Sequence, residues 1–259
     1  MGKVYLIASG KGGTGKTMFA VNLGATLAKA GKSVVIVDFD LGLRNLDLFF
    51  GLENNVVYDI YDVLTGLCRI KQALIRDKRF PELYVMAASP GRSDGTLTPL
   101  HVKVLCQKLK RTFDVVIIDG PSGIDDGLVL ASAGADAAVV VTNPDFSAMR
   151  DADNLDRQLV ELGITERKLV VNRVVGELMA SGYAPKLSEI TTTLKPELAG
   201  VIQQDENIHI STNLGIPIVL KQGTYIEENF RHIASRITGE DLEPVKSSDV
   251  QKHPQQFSR

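Results

Sequence analysis

Gly10-Lys11-Gly12-Gly13-Thr14-Gly15-Lys16-Thr17 is the stretch that decides the fold of this 259-residue chain. An apolar run at residues 4–8 precedes it, and a helical pattern from Met18 to Ala30 follows it. The stretch fits the pattern G-x-x-x-x-G-K-[ST] completely, and strand, glycine loop and helix in this order are the context that this pattern requires. We therefore predict a phosphate-binding loop in preference to a plain glycine-rich turn with an exposed lysine.

The chemistry of phosphate binding explains each part of this loop. Glycines let the backbone turn sharply and direct several N–H groups at one anion, toward which the following helix points its positive end. We expect the Lys16 ammonium to meet the β- and γ-phosphates of ATP and the Thr17 hydroxyl to ligate Mg²⁺. The residues predicted to bind ATP or ADP here are Gly10, Lys11, Gly12, Gly13, Thr14, Gly15, Lys16, Thr17 and Met18.

Apolar strands alternate with helical patterns along the rest of the chain. The strand candidates are residues 3–9, 33–38, 83–88, 114–119, 136–142 and 167–172, with weaker ones at 198–203 and 216–220. The helix candidates are residues 17–30, 56–64, 69–76, 97–111, 126–133, 146–162, 186–194, 206–213 and 224–237. Several strands are continuous β-branched runs, typical of strands buried on both faces of a parallel sheet. We predict an α/β fold with a doubly wound, mostly parallel sheet flanked by helices, within one domain of residues 1–239.

Composition narrows the class of protein further. With 44% apolar residues, the chain is long enough for one large domain with a full core. Its net charge of −2 gives no electrostatic case for binding nucleic acid. We expect no signal peptide and no transmembrane helix, because residues 3–9 lead directly into the loop and no apolar run is long enough. Cys68 and Cys106 lack a C-x-x-C spacing, which favours reduced thiols and a cytoplasmic location.

Polar residues end three of the predicted strands. Asp38 and Asp40 follow the strand at 33–38, where a carboxylate can approach the γ-phosphate, its attacking water or the metal ion. Asp119 ends the strand at 114–119, the arrangement in which a Walker B aspartate holds Mg²⁺. The glycine-containing segment Gly120–Gly123 then suits a loop that senses the γ-phosphate. A helix cap or a turn is the ordinary role of a single such aspartate.

The strand at 167–172 ends in the amide of Asn172, with Arg173 next to it. Because parallel strands end at one edge of a sheet, these two residues are placed to reach the same nucleotide. We predict that Asn172 and Arg173 bind the adenine base.

Two motifs resemble one family of ATPases. The loop GKGGTGKT, with its early Lys11, resembles the deviant Walker A loop of the MinD/ParA/nitrogenase-iron-protein group, and a solvated loop lysine is the less favoured alternative for Lys11. The stretch from Asp38 to Asp47 resembles the switch I segment of the MinD family of septum-site-determining ATPases. The resemblance extends over residues 2–239 and includes Asn143-Pro144 and residues 200–202.

The resemblance implies a nitrogenase-iron-protein-like P-loop fold and an ATPase that forms a homodimer across ATP. It implies that Lys11 reaches the partner's nucleotide and that Lys16 and Asp40 complete the catalytic set, with Thr17, Asp38, Asp40 and Asp119 around Mg²⁺. A protein activator of hydrolysis and a septum-inhibitor type of partner are also implied. Turnover is then expected to be slow without a partner, in a cytoplasmic protein that is peripheral at the inner face of the cell membrane.

The sequence departs from this family at several positions. Met18 stands where the family usually has a threonine that helps to bind the α-phosphate, and a thioether cannot donate that hydrogen bond. Gly120 and Ser122 vary the second switch, and Gln203 replaces a proline near the expected base site. Residues 240–259 lack the family's basic amphipathic helix and read as a disordered tail, so we expect membrane contact to be weak or to need a partner. Two alternatives stay open: a metal or iron–sulfur carrier ATPase of the same superfamily, and an ATP-binding scaffold with little turnover.

Overall fold

The computed structural model describes residues 1–40, 44–89 and 97–242. Its strands form a single eight-stranded sheet in the order β3-β4-β2-β5-β1-β6-β7-β8. Seven strands pair in parallel, and β3 pairs antiparallel with β4 at one edge. The strands are β1 (Lys3–Ser9), β2 (Val34–Asp38), β3 (Ile75–Arg76), β4 (Leu83–Met86), β5 (Val115–Ser122), β6 (Ala137–Thr142), β7 (Glu166–Val174) and β8 (Glu197–Gln203).

Helices cover both faces of this sheet, as the alternation in the sequence predicts. They are α1 (Lys16–Lys29), α2 (Leu46–Phe50), α3 (Ile60–Leu64), α4 (Ile70–Ala73), α5 (Pro99–Leu109), α6 (Asp126–Ser132), α7 (Phe146–Glu161), α8 (Gly176–Ala180), α9 (Leu187–Thr193), α10 (Glu206–Asn213) and α11 (Tyr225–Thr238). One core layer joins α1 and α11 to the sheet and includes the ring pair Phe19–Phe230, with centroids 6.0 Å apart. The other layer packs α5, α6, α7 and α9 on the opposite face. The doubly wound α/β fold is confirmed.

Strand order brings the chemistry to one edge of the sheet. β1 and its phosphate loop lie between β5 and β6, and β2 lies on the other side of β5. In the β2–β5 register, Asp38 is directly opposite Asp119. Because all of these strands run parallel, their carboxyl ends meet the N-terminus of α1, which is where ligands bind in this architecture.

Several sequence predictions of local structure are wrong in detail. Residues 69–76 form only the short helix α4 before the chain turns into the edge strand β3. Residues 216–220 do not form a strand, because the chain makes a turn of 3-10 helix at Ile218–Leu220 after Pro217. The helix predicted at 56–64 begins at Ile60, where the Asp59 carboxylate accepts a bond from the N–H of Asp62. The five-residue helices α2 and α8 are missed, since they are too short for a periodic pattern.

The end of the described chain belongs to the core. The apolar stripe of α11 is buried, with Phe230 and Ile233 fully enclosed. Leu242 is also buried, and the Arg231 Nη1 donates to its carbonyl at 2.9 Å. The boundary at residue 239 is therefore at least three residues too early. The tail prediction otherwise falls on residues 243–259, which lie outside the described residues.

Candidate functional site: a nucleotide-binding edge of the sheet

The phosphate loop connects β1 to α1 through two residues in the left-handed region. Gly13 and Gly15 have φ values of 78° and 90°, which only glycine adopts without strain. Gly10 serves a different purpose, because a Cβ there would lie 2.3 Å from the carbonyl oxygen of Asp151. Close approach of the loop to α7 therefore requires glycine at this position. The hydroxyl of Thr14 is buried without a hydrogen-bond partner, as expected of a loop that closes around a ligand.

Lys16 and Asp119 form a buried pair at the mouth of this loop. The Lys16 Nζ donates to the Asp119 Oδ1 at 3.3 Å, and the side chains are only 5% and 1% exposed. Burial raises the pKa of the Asp119 carboxyl, against the influence of the Lys16 ammonium and a hydrogen bond from the Thr17 side chain. The second carboxylate oxygen, Oδ2, is buried without a partner. An unpaired anionic oxygen beside a threonine hydroxyl is the donor set that a hard divalent cation prefers.

Two further carboxylates stand beside this pair. Asp38 Oδ1 accepts the N–H of Asp40 at 3.0 Å, and its Oδ2 accepts the N–H groups of Asn45 and Leu46 at 3.2 Å. Desolvation raises the pKa of Asp38 to about 7, and the nearby charge of Asp119 adds to the rise. Asp38 therefore holds the start of α2 in place, which leaves the half-buried carboxylate of Asp40 as the freer acid of the two.

Lys11 does not share the place of Lys16. Its Nζ donates to the Oδ1 of Asp145 at 3.1 Å and to the hydroxyl of Ser147 at 2.9 Å, both in the first turn of α7. The Lys11 side chain is 32% exposed to solvent. Although partial burial opposes it, hydrogen bonds from Ala148, Ser147 and Lys11 hold the pKa of Asp145 below its usual value. The loop thus presents one buried ammonium and one that is held at the surface.

No sequence motif points to Asp145 or Ser147. They follow β6, which the strand order places next to β1, so an acid three residues beyond that strand was the signal available. Asp145 also caps α7 by accepting the N–H of Ala148, which is the ordinary role of an aspartate at that position.

A cavity of about 670 Å³ opens beside the loop. Asn172 and Arg173, predicted to meet the base, both line it, as do Met18 and Gln203. Asn172 is buried, and its Nδ2 donates to the Thr14 carbonyl at 2.7 Å, so this donor supports the loop. Its role toward the base stays a prediction. A further wall, which no sequence motif indicates, comes from α2 and α10 and includes Phe49, Ile208, His209, Ile210, Thr212 and Asn213.

The segment after Asp119 follows the sheet further than predicted. β5 continues through Pro121 to Ser122, and the N–H of Gly123 donates to the carbonyl of Ser9 at 3.0 Å. A Cβ at Gly120 would lie 2.9 Å from the carbonyl oxygen of Ile7. The segment expected to sense the γ-phosphate therefore lies directly against the strand that leads into the loop.

The remaining candidate chemistry is sparse. In the described residues, no group of three or more His, Cys, Asp or Glu side chains is placed to hold a metal ion. Cys106 is buried and burial raises its pKa to about 12, whereas Cys68, in the turn between α3 and α4, is partly exposed. Across the described parts of the chain, the structure holds no helix with both the length and the apolar character that crossing a bilayer requires.

A phosphate loop at the carboxyl edge of a doubly wound sheet, with aspartates toward the carboxyl ends of β5 and β2, defines a P-loop nucleotide-binding ATPase. Residues 5–218 match the family described as the CobQ/CobB/MinD/ParA nucleotide binding domain. The chain is 44% identical to the septum site-determining protein MinD of Bacillus subtilis over 93% of this chain and 91% of that protein. It is 41% identical to the MinD of Synechocystis, with the same coverage of each chain.

Solved structures agree with this assignment. The fold matches the MinD chain in the MinC:MinD cell division protein complex of Aquifex aeolicus with a TM-score of 0.86 and 36% identity, covering 94% of this chain and 98% of that one. It matches MinD complexed with Mg-ADP from Pyrococcus horikoshii with a TM-score of 0.82 and 28% identity, covering 92% and 96%. The chain belongs to the MinD family and is a MinD-type ATPase of division-site placement.

Proposed function

We propose that this chain is an ATP-dependent dimerising switch that hydrolyses ATP in a magnesium-dependent and intrinsically slow reaction. The observation that supports it best is the separation of its two loop lysines. Lys16 is buried on Asp119, where it can neutralise phosphate charge within its own protomer. Lys11 is held at the surface on α7, where a second protomer can offer it a phosphate in place of Asp145.

The residues around Asp119 fit a magnesium ion. The unpartnered Oδ2 of Asp119 and the hydroxyl of Thr17 would hold it, with oxygens of Asp38 and Asp40 close by. When bound, the ion neutralises charge on the β- and γ-phosphates. A bound triphosphate would also give the Lys16 ammonium a second anionic partner besides Asp119. The site therefore fits ATP or ADP with Mg²⁺ as its cofactors.

In the proposed cycle, Asp40 orients the attacking water while Lys16 and the loop N–H groups hold the phosphates. The partner's Lys11 completes the charge balance, so a single protomer hydrolyses slowly. Loss of the γ-phosphate removes the contacts that hold the Asp40 segment and residues 120–123. The two copies then separate, as in other switches that are ordered by a γ-phosphate.

Partners are proposed by analogy. Because the Aquifex relative was solved as a MinC:MinD complex, we infer a septum-inhibitor type of partner for this chain. A separate protein that activates hydrolysis is inferred in the same way, from the resemblance to the family. We place the protein in the cytoplasm and infer that another protein brings it to the membrane. Sedimentation of the purified chain with liposomes and ATP tests that inference, which robust binding by the chain alone would contradict.

The deciding experiment measures ATPase activity against protein concentration, in magnesium, with molar mass followed by light scattering. We expect specific activity to rise steeply with concentration and the mass to double with ATP but not with ADP. A constant mass in ATP, ADP and no nucleotide would refute the dimer. Dimerisation without phosphate release, with or without candidate activators, would instead support an ATP-binding scaffold, an alternative that the thioether of Met18 keeps open.

A further inference from the structure

A second cavity lies away from the nucleotide site, between α3–α4 and α5. It measures about 690 Å³, comparable to the sites that enclose small ligands, and it is a groove rather than a closed cavity because several of its lining residues are exposed. We call it the α3–α5 groove. Its apolar lining comes from the two helical segments and consists of Val63, Leu64, Ile70, Leu100, Val104 and Leu105. Neither the proposed ATP cycle nor the sequence motifs make use of it.

The apolar surface of this groove continues to the outside. Leu100 and Val104 are 66% and 40% exposed on α5, and Leu67, in the turn between α3 and α4, is 71% exposed. These side chains lie in adjoining elements, since α3 packs on both α4 and α5. Scattered exposed leucines are common, but apolar side chains gathered around a concave site indicate a surface that a partner covers.

The charged side chains that line the α3–α5 groove are all basic, while the nearest carboxylates, those of Asp59 and Asp62, lie near its Cys68 and outside the lining. Arg69, Lys71, His101 and Lys108 all line it, and among the described residues no acidic side chain does. The ion pairs nearest in sequence within the described chain are Arg76–Glu82 and Lys110–Asp136, and neither uses a cation of the groove. A protein with a net charge of −2 thus keeps three permanent cations together at one groove.

We propose that the α3–α5 groove binds an acidic, amphipathic segment of another protein. An apolar floor between two helices receives the apolar side of such a segment, and the surrounding cations receive its carboxylates. The concave shape favours a peptide over a lipid surface, because a bilayer meets convex and not recessed apolar residues. The groove is separate from the ATP site, so the proposal does not depend on the proposed dimer.

Cys68 supplies a reporter for this proposal. Its thiol lines the groove and is partly exposed, whereas Cys106 is buried. Because desolvation and the nearby Asp62 and Asp59 carboxylates raise the pKa of Cys68, alkylation is best followed at alkaline pH, where the thiolate forms. An occupant of the groove protects Cys68 from the reagent.

The test selects binders from a displayed library of random 16-residue peptides on the full chain with ADP. We expect the enriched peptides to combine apolar residues at helical spacing with several carboxylates, and to slow iodoacetamide labelling of Cys68. The double variant Lys71→Glu/Lys108→Glu should weaken their binding by roughly tenfold or more, which corresponds to about 1.4 kcal/mol. Lys195→Glu, at an exposed lysine just before β8 at the edge of the sheet opposite β3, is the control and should leave affinity unchanged.

Four results would overturn the proposal. These are the absence of enriched peptides, enrichment of basic or uncharged ones, binding that leaves Cys68 fully reactive, and equal loss of affinity in the control variant. Protection of Cys68 that grows with the concentration of the chain alone would assign the groove to a second copy instead. Protection by vesicles containing phosphatidylglycerol would assign it to an anionic membrane.

Discussion

Lys11 of the phosphate loop is bonded to Asp145 at the start of α7, with 3.1 Å between Nζ and Oδ1, although 134 residues separate them in the chain. Within one protomer, Asp145 neutralises the positive charge of Lys11. The proposed dimer needs that charge at the phosphate bound by the other protomer. Dimerisation must therefore break this ion pair or share it, and the strength of the pair sets part of the cost of assembly. Ser147 adds a second acceptor for the same ammonium.

Asp145→Asn should promote the ATP dimer. Asparagine still caps α7, but it removes the negative charge that holds Lys11. Since a partly exposed ion pair contributes up to about 1 kcal/mol and each dimer frees two such pairs, we expect dimerisation at roughly two- to thirtyfold lower protein concentration, measured by sedimentation equilibrium with ATP. Asp153→Asn, on the same helix and paired with Arg157, is the control. Weaker dimerisation of Asp145→Asn would contradict a restraining role.

Lys11→Ala should separate nucleotide binding from dimerisation. Lys16 and the loop N–H groups remain, so affinity for ATP should change by only a few fold, while the ATP-dependent doubling of mass is lost. Isothermal titration and light scattering measure the two properties on one sample. Lys78→Ala removes an exposed lysine outside the site and should behave as the parent chain. An unchanged dimer in Lys11→Ala would rule out the cross-protomer contact.

Asp40→Ala should trap the dimer in its ATP form. Removing the group that orients water is expected to lower turnover by about a hundredfold or more. The backbone bond from the Asp40 N–H to Asp38 survives the change, so the segment keeps its anchor. Phosphate release and molar mass with ATP give the readout, and Asp126→Ala, at an exposed acid in the first turn of α6, is the control. Undiminished turnover would remove Asp40 from the catalytic set.

Gly10→Ala should destabilise the chain while Gly12→Ala should not. A methyl group at residue 10 meets the backbone oxygen of Asp151 at 2.3 Å, and backbone cannot give way as a flexible side chain does. At residue 12 the nearest atom, the Ser122 hydroxyl, is 4.0 Å away. Overpacking of this kind costs about 1–3 kcal/mol, so thermal unfolding of Gly10→Ala should begin several degrees lower. Equal melting temperatures for the two variants would refute this contact.

Arg79→Met should lower stability more than Arg76→Met. The Arg79 guanidinium binds the buried Asp77 carboxylate at 2.6 Å and donates to the carbonyls of Phe50 and Gly215 at 2.7 and 2.8 Å. Its removal leaves a buried charge unpaired, which costs about 3 kcal/mol or more. Arg76 is exposed and 3.9 Å from Glu82, so its loss should cost under about 1 kcal/mol. Denaturant unfolding measures both, and similar midpoints would exclude the network.

Arg79 also shows what local pattern does not reveal. The two carbonyls that accept its hydrogen bonds, those of Phe50 and Gly215, lie at the end of α2 and just beyond α10. Both helices line the cavity beside the phosphate loop. Neither the network nor that wall could be predicted from the sequence, because α2 has only five residues and its packing on α10 is a long-range contact. Helix and strand positions with strong periodicity were predictable, whereas the edge strand β3 and the turn at residues 218–220 depend on their neighbours.

The sequence by itself determined the phosphate chemistry and the fold class. The loop is contiguous, its glycines and lysine act within a few residues of one another, and its strand and helix are local structures. The tertiary structure alone decided which groups surround that loop. The order of β7, β6, β1 and β5 places Asp145 against Lys11 and Asp119 against Lys16, and it brings Asn172 to the carbonyl of Thr14 across 158 residues. Such pairings follow from strand order, which is set by packing of the whole sheet and not by any one stretch.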